Sequence, residues 1–144
     1  MANKVFVFGA GEYGKEAKEI KSLGVCLFKV SKEKKIAFEV CLISNRAMRG
    51  LNRRFLKKDR ATNVLSFEAA KGTLRPDLGK NTRYLGEIFL APDFIRAKGE
   101  NIGFLFIHGF LHLLGYTHEE KRDRIRMKKR EDFLSRRLKI NFYV

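Results

Sequence analysis

The sequence predicts one domain, residues 1–144, in which strands and helices share a small sheet of about four strands. Three observations predict it. A chain of 144 residues fits a single core. Hydrophobic residues make up 44%, with 13 phenylalanines, which is too much apolar material for a disordered chain. Apolar stretches of strand length alternate with stretches of helical period, and Gly, Pro and Asp punctuate them.

The elements follow in order. KVFVF, residues 4–8, reads as a short strand. From about residue 14 to 31, Ile20, Leu23, Leu27 and Val30 are spaced as one helical face, although Gly24 weakens a helix and VCLFKV also suits a strand. IAFEVCLIS, 36–44, is β-branched and apolar, as a strand requires. Asn45 is placed to cap a helix from Arg46 to about Lys57, with Met48, Leu51 and Phe55 facing inward. ATNVLSFEA, 61–69, is a third strand, KGTLRPDLGKNTR, 71–83, a loop, and LGEIFLA, 85–91, a fourth strand. Pro92 and Asp93 open a short helix that Gly99 ends. Asn101 and Gly115 then bracket IGFLFIHGFLHLL, apolar nearly all round and therefore a buried helix. A long basic helix closes the chain, with Ile125, Phe133, Leu134 and Leu138 as its inward face.

The formal net charge of +15 exceeds what solubility asks of a small domain and suits a polyanionic partner. Cys26 and Cys41 are the only cysteines and read as buried small hydrophobes of a reducing compartment, not a disulfide framework. The start lacks the apolar run of a signal peptide, and no segment is apolar enough to span a bilayer. A cytoplasmic protein with no membrane partner is expected. GAGEYG, 9–14, matches the dinucleotide fingerprint, but a chain this short lacks room for the full nucleotide-binding sheet. The expectation at Gly9–Gly14 is a glycine-rich turn and no dinucleotide.

All three histidines fall in HGFLHLLGYTH, His108 to His118. His108 and His112, four apart, project from one helical face. Gly115 allows a sharp turn that carries His118 back to the same point. Histidines buried singly are commonly satisfied by backbone. Two on a greasy face leave several ring nitrogens to satisfy, and one ion shared with a third satisfies three at once. Imidazole favours zinc, with nickel, copper and iron as alternatives, and one Zn(2+) per chain is expected. Three protein ligands leave a coordination position open, as catalytic sites do. The spacing also matches the zincin pattern H-E-x-x-H-x-x-G-x-x-H, except that Gly109 stands where those proteases carry their general base. A carboxylate elsewhere, such as Glu87, would have to substitute.

HGFLHLLGYTH resembles the H-G-x-L-H-L-x-G-[YF]-[DT]-H signature of the YbeY-type endoribonucleases. LNRRFLKKDRATNVLSFE, from Leu51, is similar to that family's L-N-x-x-[YF]-R-x-x-D-x-x-T-[DN]-V-L-S-F, and LGEIFLAP to its L-G-[DE]-I strand. The likeness spans about residues 36–120. It implies a compact α+β fold related to zincins, a small mixed sheet packed with helices, and His108, His112 and His118 holding the ion from a central buried helix. It further implies a metal-dependent, single-strand-specific endoribonuclease acting in ribosomal RNA maturation and ribosome quality control, with ribosomal RNA and ribosomal particles as partners. The chain departs from the pattern at Leu56, where the family has an arginine, and at Thr117, where aspartate is common. Thr117 to Glu120 has the form of a capping box, so threonine is expected to cap the last helix.

No general base is assigned, and Arg60 and Glu87 are the catalytic candidates beside a metal-bound water. Arg53, Arg54, Lys57, Lys58 and Arg60 are the expected RNA contacts, joined by basic residues of the last helix such as Arg122, Arg126 and Arg130. Two other functions fit the residues: a metalloprotease-like hydrolase, and a non-catalytic RNA-binding ribosome assembly factor with structural zinc.

Overall fold

Four strands and five helices carry the chain in the computed structural model, which describes residues 3–73 and 75–140. Leu74, within the predicted 71–83 loop, lies outside them. The strands are β1 (Lys4–Phe8), β2 (Ile36–Leu42), β3 (Val64–Glu68) and β4 (Arg83–Leu90). The helices are α1 (Gly14–Ser31), α2 (Asn45–Leu56), α3 (Pro92–Ala97), α4 (Ile102–Leu113) and α5 (Lys121–Arg137). A single 3-10 turn, Pro76–Leu78, interrupts the loop before β4.

The sheet is mixed, in the order β1-β2-β4-β3. β1, β2 and β4 run parallel, and β3 returns antiparallel at the edge beside β4. Along β2, Ile36, Phe38, Val40 and Leu42 are buried, and Phe38 meets Phe28 of α1 and both Phe106 and Phe110 of α4 at ring-centroid distances of 5.8, 6.0 and 5.4 Å. These rings join α1, α4 and the sheet in one core. Helix α4 is buried on every side but one. Phe104, His108 and His112, each four residues from the next, form its half-buried stripe.

Glycine makes two of these packings possible. A Cβ on Gly24 would meet the Val5 side chain at 2.8 Å, so the residue that weakens α1 as a helix lets it lie against β1. A Cβ on Gly109 would meet Ile88 of β4 at 2.8 Å and Ser66 Oγ of β3 at 3.0 Å. The Ser66 hydroxyl instead donates to the Gly109 carbonyl at 3.2 Å.

Five local readings are corrected. Cys26, read as buried, is exposed on α1, and Cys41 is half-buried. Ser44, not Asn45, caps α2: its backbone is extended and its Oγ accepts from the Ala47 amide at 3.1 Å. Phe55 does not face inward but is 53% exposed, because α2 buries the stripe of Met48 and Asn52. Thr117 caps nothing, since α5 begins only at Lys121 with Glu120 as the capping residue. Residues 116–118 remain non-helical, which leaves His118 free to turn toward α4. On α5 the inward face is Met127, Glu131, Leu134 and Ser135, while Ile125 and Phe133 are 47% and 42% exposed. The residues predicted at Asn101 and Gly115 stand as read. Asn101 Oδ1 accepts from the Phe104 amide at 3.1 Å, and Gly115 takes a φ of 101°.

The contact at Gly109 gives the first prediction. Gly109→Ala would raise helix propensity by about 1 kcal/mol. It would also push a methyl group against the fully buried Ile88 side chain. Overpacking of this kind costs roughly 1–3 kcal/mol, so the variant should melt below wild type by thermal denaturation. An unchanged or raised melting temperature would show that α4 is not held this close to the sheet.

Candidate metal centre

The turn after α4 builds the site. Gly115, in the left-handed region, lets its own amide reach the His112 carbonyl and the Tyr116 amide reach the Leu111 carbonyl, both at 3.0 Å. This is a Schellman closure of the helix. It leaves the Tyr116 carbonyl beside His112, where it accepts a hydrogen bond from Nδ1 at 2.9 Å. A carbonyl cannot donate, so His112 Nδ1 carries the proton and Nε2 is bare. On the next turn back, His108 Nδ1 donates to Glu131 Oε2 at 2.6 Å.

The Nε2 atoms of the two rings face each other at 3.1 Å. Lone pairs at that distance repel unless a proton or a cation lies between them. Burial first, and the neighbouring His108 second, hold His112 below the ordinary histidine pKa, which favours its Nε2 as an acceptor toward whatever lies between the rings. The His118 ring stands 4.9 Å from that of His112 and 5.8 Å from that of His108. One ring nitrogen from each histidine lies within 4.8 Å of the other two. Tetrahedral zinc with bonds of roughly 2.0–2.1 Å would separate its nitrogens by roughly 3.3 Å, so the donor set fits such an ion with small adjustment at His118. No fourth His, Cys, Asp or Glu joins the group among the described residues.

The histidines open into a cleft whose other wall is the edge strand β3, Val64 to Glu68, with Leu56 at its rim and Tyr116 and Thr117 beside the imidazoles. Asn63 and Ala69 pair toward β4, through Asn63 O to the Ala91 amide and the Ala69 amide to Leu85 O. By alternation, the backbone groups of Ser66 and Glu68 point to the free edge.

The remaining predicted residues lie elsewhere. Glu87 is paired with Phe67 across the β3–β4 ladder and lies beside Glu39. Its neighbour Ile88 is the residue that faces α4, so Glu87 points to the opposite side of the sheet from the histidines. Arg60 is exposed, and its backbone carbonyl, not its guanidinium, is engaged, by Asn52 Nδ2 at 2.8 Å. Neither lines the cleft. Arg53, Arg54, Lys57 and Lys58 are exposed at the C-terminal end of α2. Leu56 does line the cleft, so the residue at the family's arginine position stands at the histidines but brings no charge.

Gly9–Gly14 forms a tight turn in which Gly9, at φ 100°, packs so close to the Leu42 carbonyl that a Cβ would collide with it. The N-terminus of α1 already faces carboxylates. Tyr13 donates to Asp93 at 2.9 Å, and Glu16 pairs with Arg96 at 2.6 Å.

Glu131 is the residue that sequence reading missed. It lies within the most basic segment of the chain, where an acid reads as a surface charge. Its signal was position: Met127, Glu131, Leu134 and Leu138 recur at helical spacing, and an acid inside such a stripe needs a buried partner.

Fold and site together define a class: a mixed α+β domain that presents three converging imidazoles from a buried helix and the turn after it, beside an antiparallel edge strand. The family profile described as Endoribonuclease YbeY matches residues 11–139. Similar proteins bear the same name. One from Pelagibacter ubique is 37% identical over 115 residues, covering 74% of this chain and 72% of its own. One from Rhodopseudomonas palustris is 38% identical over 109 residues, covering 70% of this chain but only 56% of its own. A third, from Myxococcus xanthus, is 37% identical over 110 residues and is matched over 35% of its length. The solution structure of TM1509 from Thermotoga maritima shares the fold, with a TM-score of 0.55 at 24% identity over 94% of this chain and 91% of that one. This chain belongs to the Endoribonuclease YbeY family.

The carboxylate behind His108 gives the second prediction. Partners that orient a ligating histidine typically change metal affinity by about 10- to 100-fold when removed. Glu131→Ala should therefore weaken zinc binding by about that factor in a competition with a chromophoric chelator. Glu131→Gln, which can still accept from Nδ1, should lose less. Equal affinity in all three proteins would mean that Glu131 does not hold the imidazole.

Proposed function

We propose that this protein is a metal-dependent endoribonuclease that cuts unpaired RNA and acts in ribosomal RNA maturation and ribosome quality control. One zinc ion per chain would be held by His108, His112 and His118. The single observation that carries the reading is the convergence of three imidazoles, two of them with Nε2 atoms facing at 3.1 Å, in an open cleft. Family membership supplies the reaction class, and the net charge of +15 suits the substrate.

When bound, the ion supplies Lewis acidity for water or a phosphoryl oxygen. The chain's own residues account for the rest. Glu131 and the Tyr116 carbonyl fix both helix histidines with their Nε2 atoms aimed at one point. The exposed position of His118 keeps the outer side of the site accessible. The free edge of β3 offers backbone donors along the cleft, a fixed means of stabilising negative charge. Arg53, Arg54, Lys57 and Lys58 lie past the rim of that cleft, where they grip phosphates without reading sequence.

A protease is the poorer reading, because the base position of that chemistry is Gly109, packed against Ile88 and Ser66 with no room for a side chain. A purely structural zinc is disfavoured by the three-ligand set. A cytoplasmic location without a membrane partner remains part of the proposal. No described helix is long and apolar enough to cross a membrane.

Two outcomes test the reading. Purified protein should carry one metal per chain and cut unpaired RNA slowly, in preference to duplex. Chelation and His108→Ala should each abolish the cutting, and casein should stay intact. Equal RNA cleavage by wild type and His108→Ala, after two unrelated purifications, would reject the catalytic assignment. Separately, RNA affinity should fall steeply with salt, with a log–log slope set by the number of phosphates gripped, and His112→Ala should keep most of that binding. Affinity indifferent to salt would remove the charge from the argument.

A further inference from the structure

Beyond the rim of the cleft, the last turn of α2 leaves two large apolar side chains in solvent, Phe55 at 53% and Leu56 at 47% exposure. Phe55 is not adrift. One side of its ring rests on Phe67 of β3 at 5.2 Å between centroids, and Phe67 rests on Phe89 of β4 at 5.7 Å. The second ring is therefore fixed by the sheet, and the first is fixed by the second. Phe67 and Leu56 both border the histidine cleft, and the Phe67 ring, opposite Glu87, lies on the far face of the sheet, so the ring stack flanks the cleft across the β3 edge and emerges at Phe55.

The surroundings of this ring are strongly cationic. Arg53, Arg54, Lys57, Lys58 and Arg60 are exposed, and none of them forms an ion pair among the described residues. The Arg54 guanidinium lies 5.9 Å from the Phe55 ring centre. The one acid in the segment, Asp59, is held by Arg49 through two hydrogen bonds of 2.8 and 3.1 Å, so its charge is offset by an arginine outside the group. A rigid aromatic face ringed by unpaired cations is what a strand with stackable bases and phosphates recognises. An apolar protein segment would match the ring but not the charge around it.

We propose that Phe55 is a stacking platform for one unpaired nucleobase of the RNA strand, with the α2 cations holding the phosphates on either side of it. The proposal rests on the reading of the cleft as a site for RNA, and it adds the residue that selects unpaired over paired strands. A base in a duplex already stacks on its neighbours and cannot lie on Phe55 without leaving them. The choice of single strands would then come from the platform as well as from the recessed histidines.

The test measures binding, separate from cleavage. Two probes are compared on the full chain with its metal: a short 2′-O-methyl oligoadenylate, and a strand of equal length and charge with abasic sugars in place of the bases. Stacking on one aromatic side chain typically changes affinity by about tenfold, so wild type should prefer the base-bearing strand by about that factor. Phe55→Ala should bring the two affinities together and leave the salt slope unchanged. Phe55→Trp should keep the preference. Because the chain has no tryptophan of its own, the emission of the introduced indole should be quenched by the base-bearing strand and not by the abasic one. The proposal is overturned if wild type does not distinguish the probes, if Phe55→Ala keeps the preference, or if the indole ignores saturating RNA. That last result would assign the exposed ring to a protein partner instead. RNA cleavage by wild type without base preference would strike the platform alone, and the full binding pattern in a protein that never cuts RNA would strike the nuclease reading alone.

Discussion

The structure turns on two imidazoles held against each other. On successive turns of a buried helix, their Nε2 atoms face at 3.1 Å. Neither can rotate away, because each has its other nitrogen committed, one to a carboxylate and one to a carbonyl. Two ring nitrogens aimed at one point make a seat for a positive charge, and the two groups behind the rings are as much a part of the site as the nitrogens in front of it.

The same helix sets what the site can do. Because α4 is packed on β3 and β4 at Gly109, the position that serves as the base in zincin-like proteases has no side chain and no space for one. Packing and chemistry are one decision at that residue. A larger side chain would separate the helix from the sheet and widen the distance between the histidines and the free edge of β3. The site thus keeps its closeness to the edge strand by giving up a local carboxylate. Phosphodiester chemistry tolerates that exchange better than peptide hydrolysis does, since its main demand is stabilising negative charge.

Much of this was legible in the sequence, and the limits have physical causes. The strand and helix order, the cap at Asn101, the turn at Gly115 and the spacing of the three histidines are local properties, written within a few residues of one another. The errors arose wherever a distant contact overruled a local preference. Thr117 and Glu120 spell a capping box, but a helix begun there would carry His118 with it, away from α4. Ile125 and Phe133 are the greasiest residues of α5, yet the helix turns them outward so that Glu131 reaches His108. Phe55 suits the inward face of α2 by periodicity, but Phe67 of another strand offers it a place at the surface. Glu87 belongs to a strand whose facing could be settled only by knowing that Ile88 meets α4.

Charge completes the arrangement. The basic residues would be a diffuse field if acids were scattered among them. In the α2 segment the single acid is instead tied to Arg49, and on α5 the acid that matters faces inward against a histidine. The first offsets its negative charge with an arginine at the surface, and the second turns its charge inward and uses it to orient an imidazole. Leu56 fits the same logic. It gives the cleft an apolar rim between the histidines and the cations of α2, so that grip and chemistry occupy adjacent but separate ground. A strand crossing that rim would exchange solvent for the β3 edge on one side and an aromatic face on the other, which orders it before its phosphate reaches the three imidazoles.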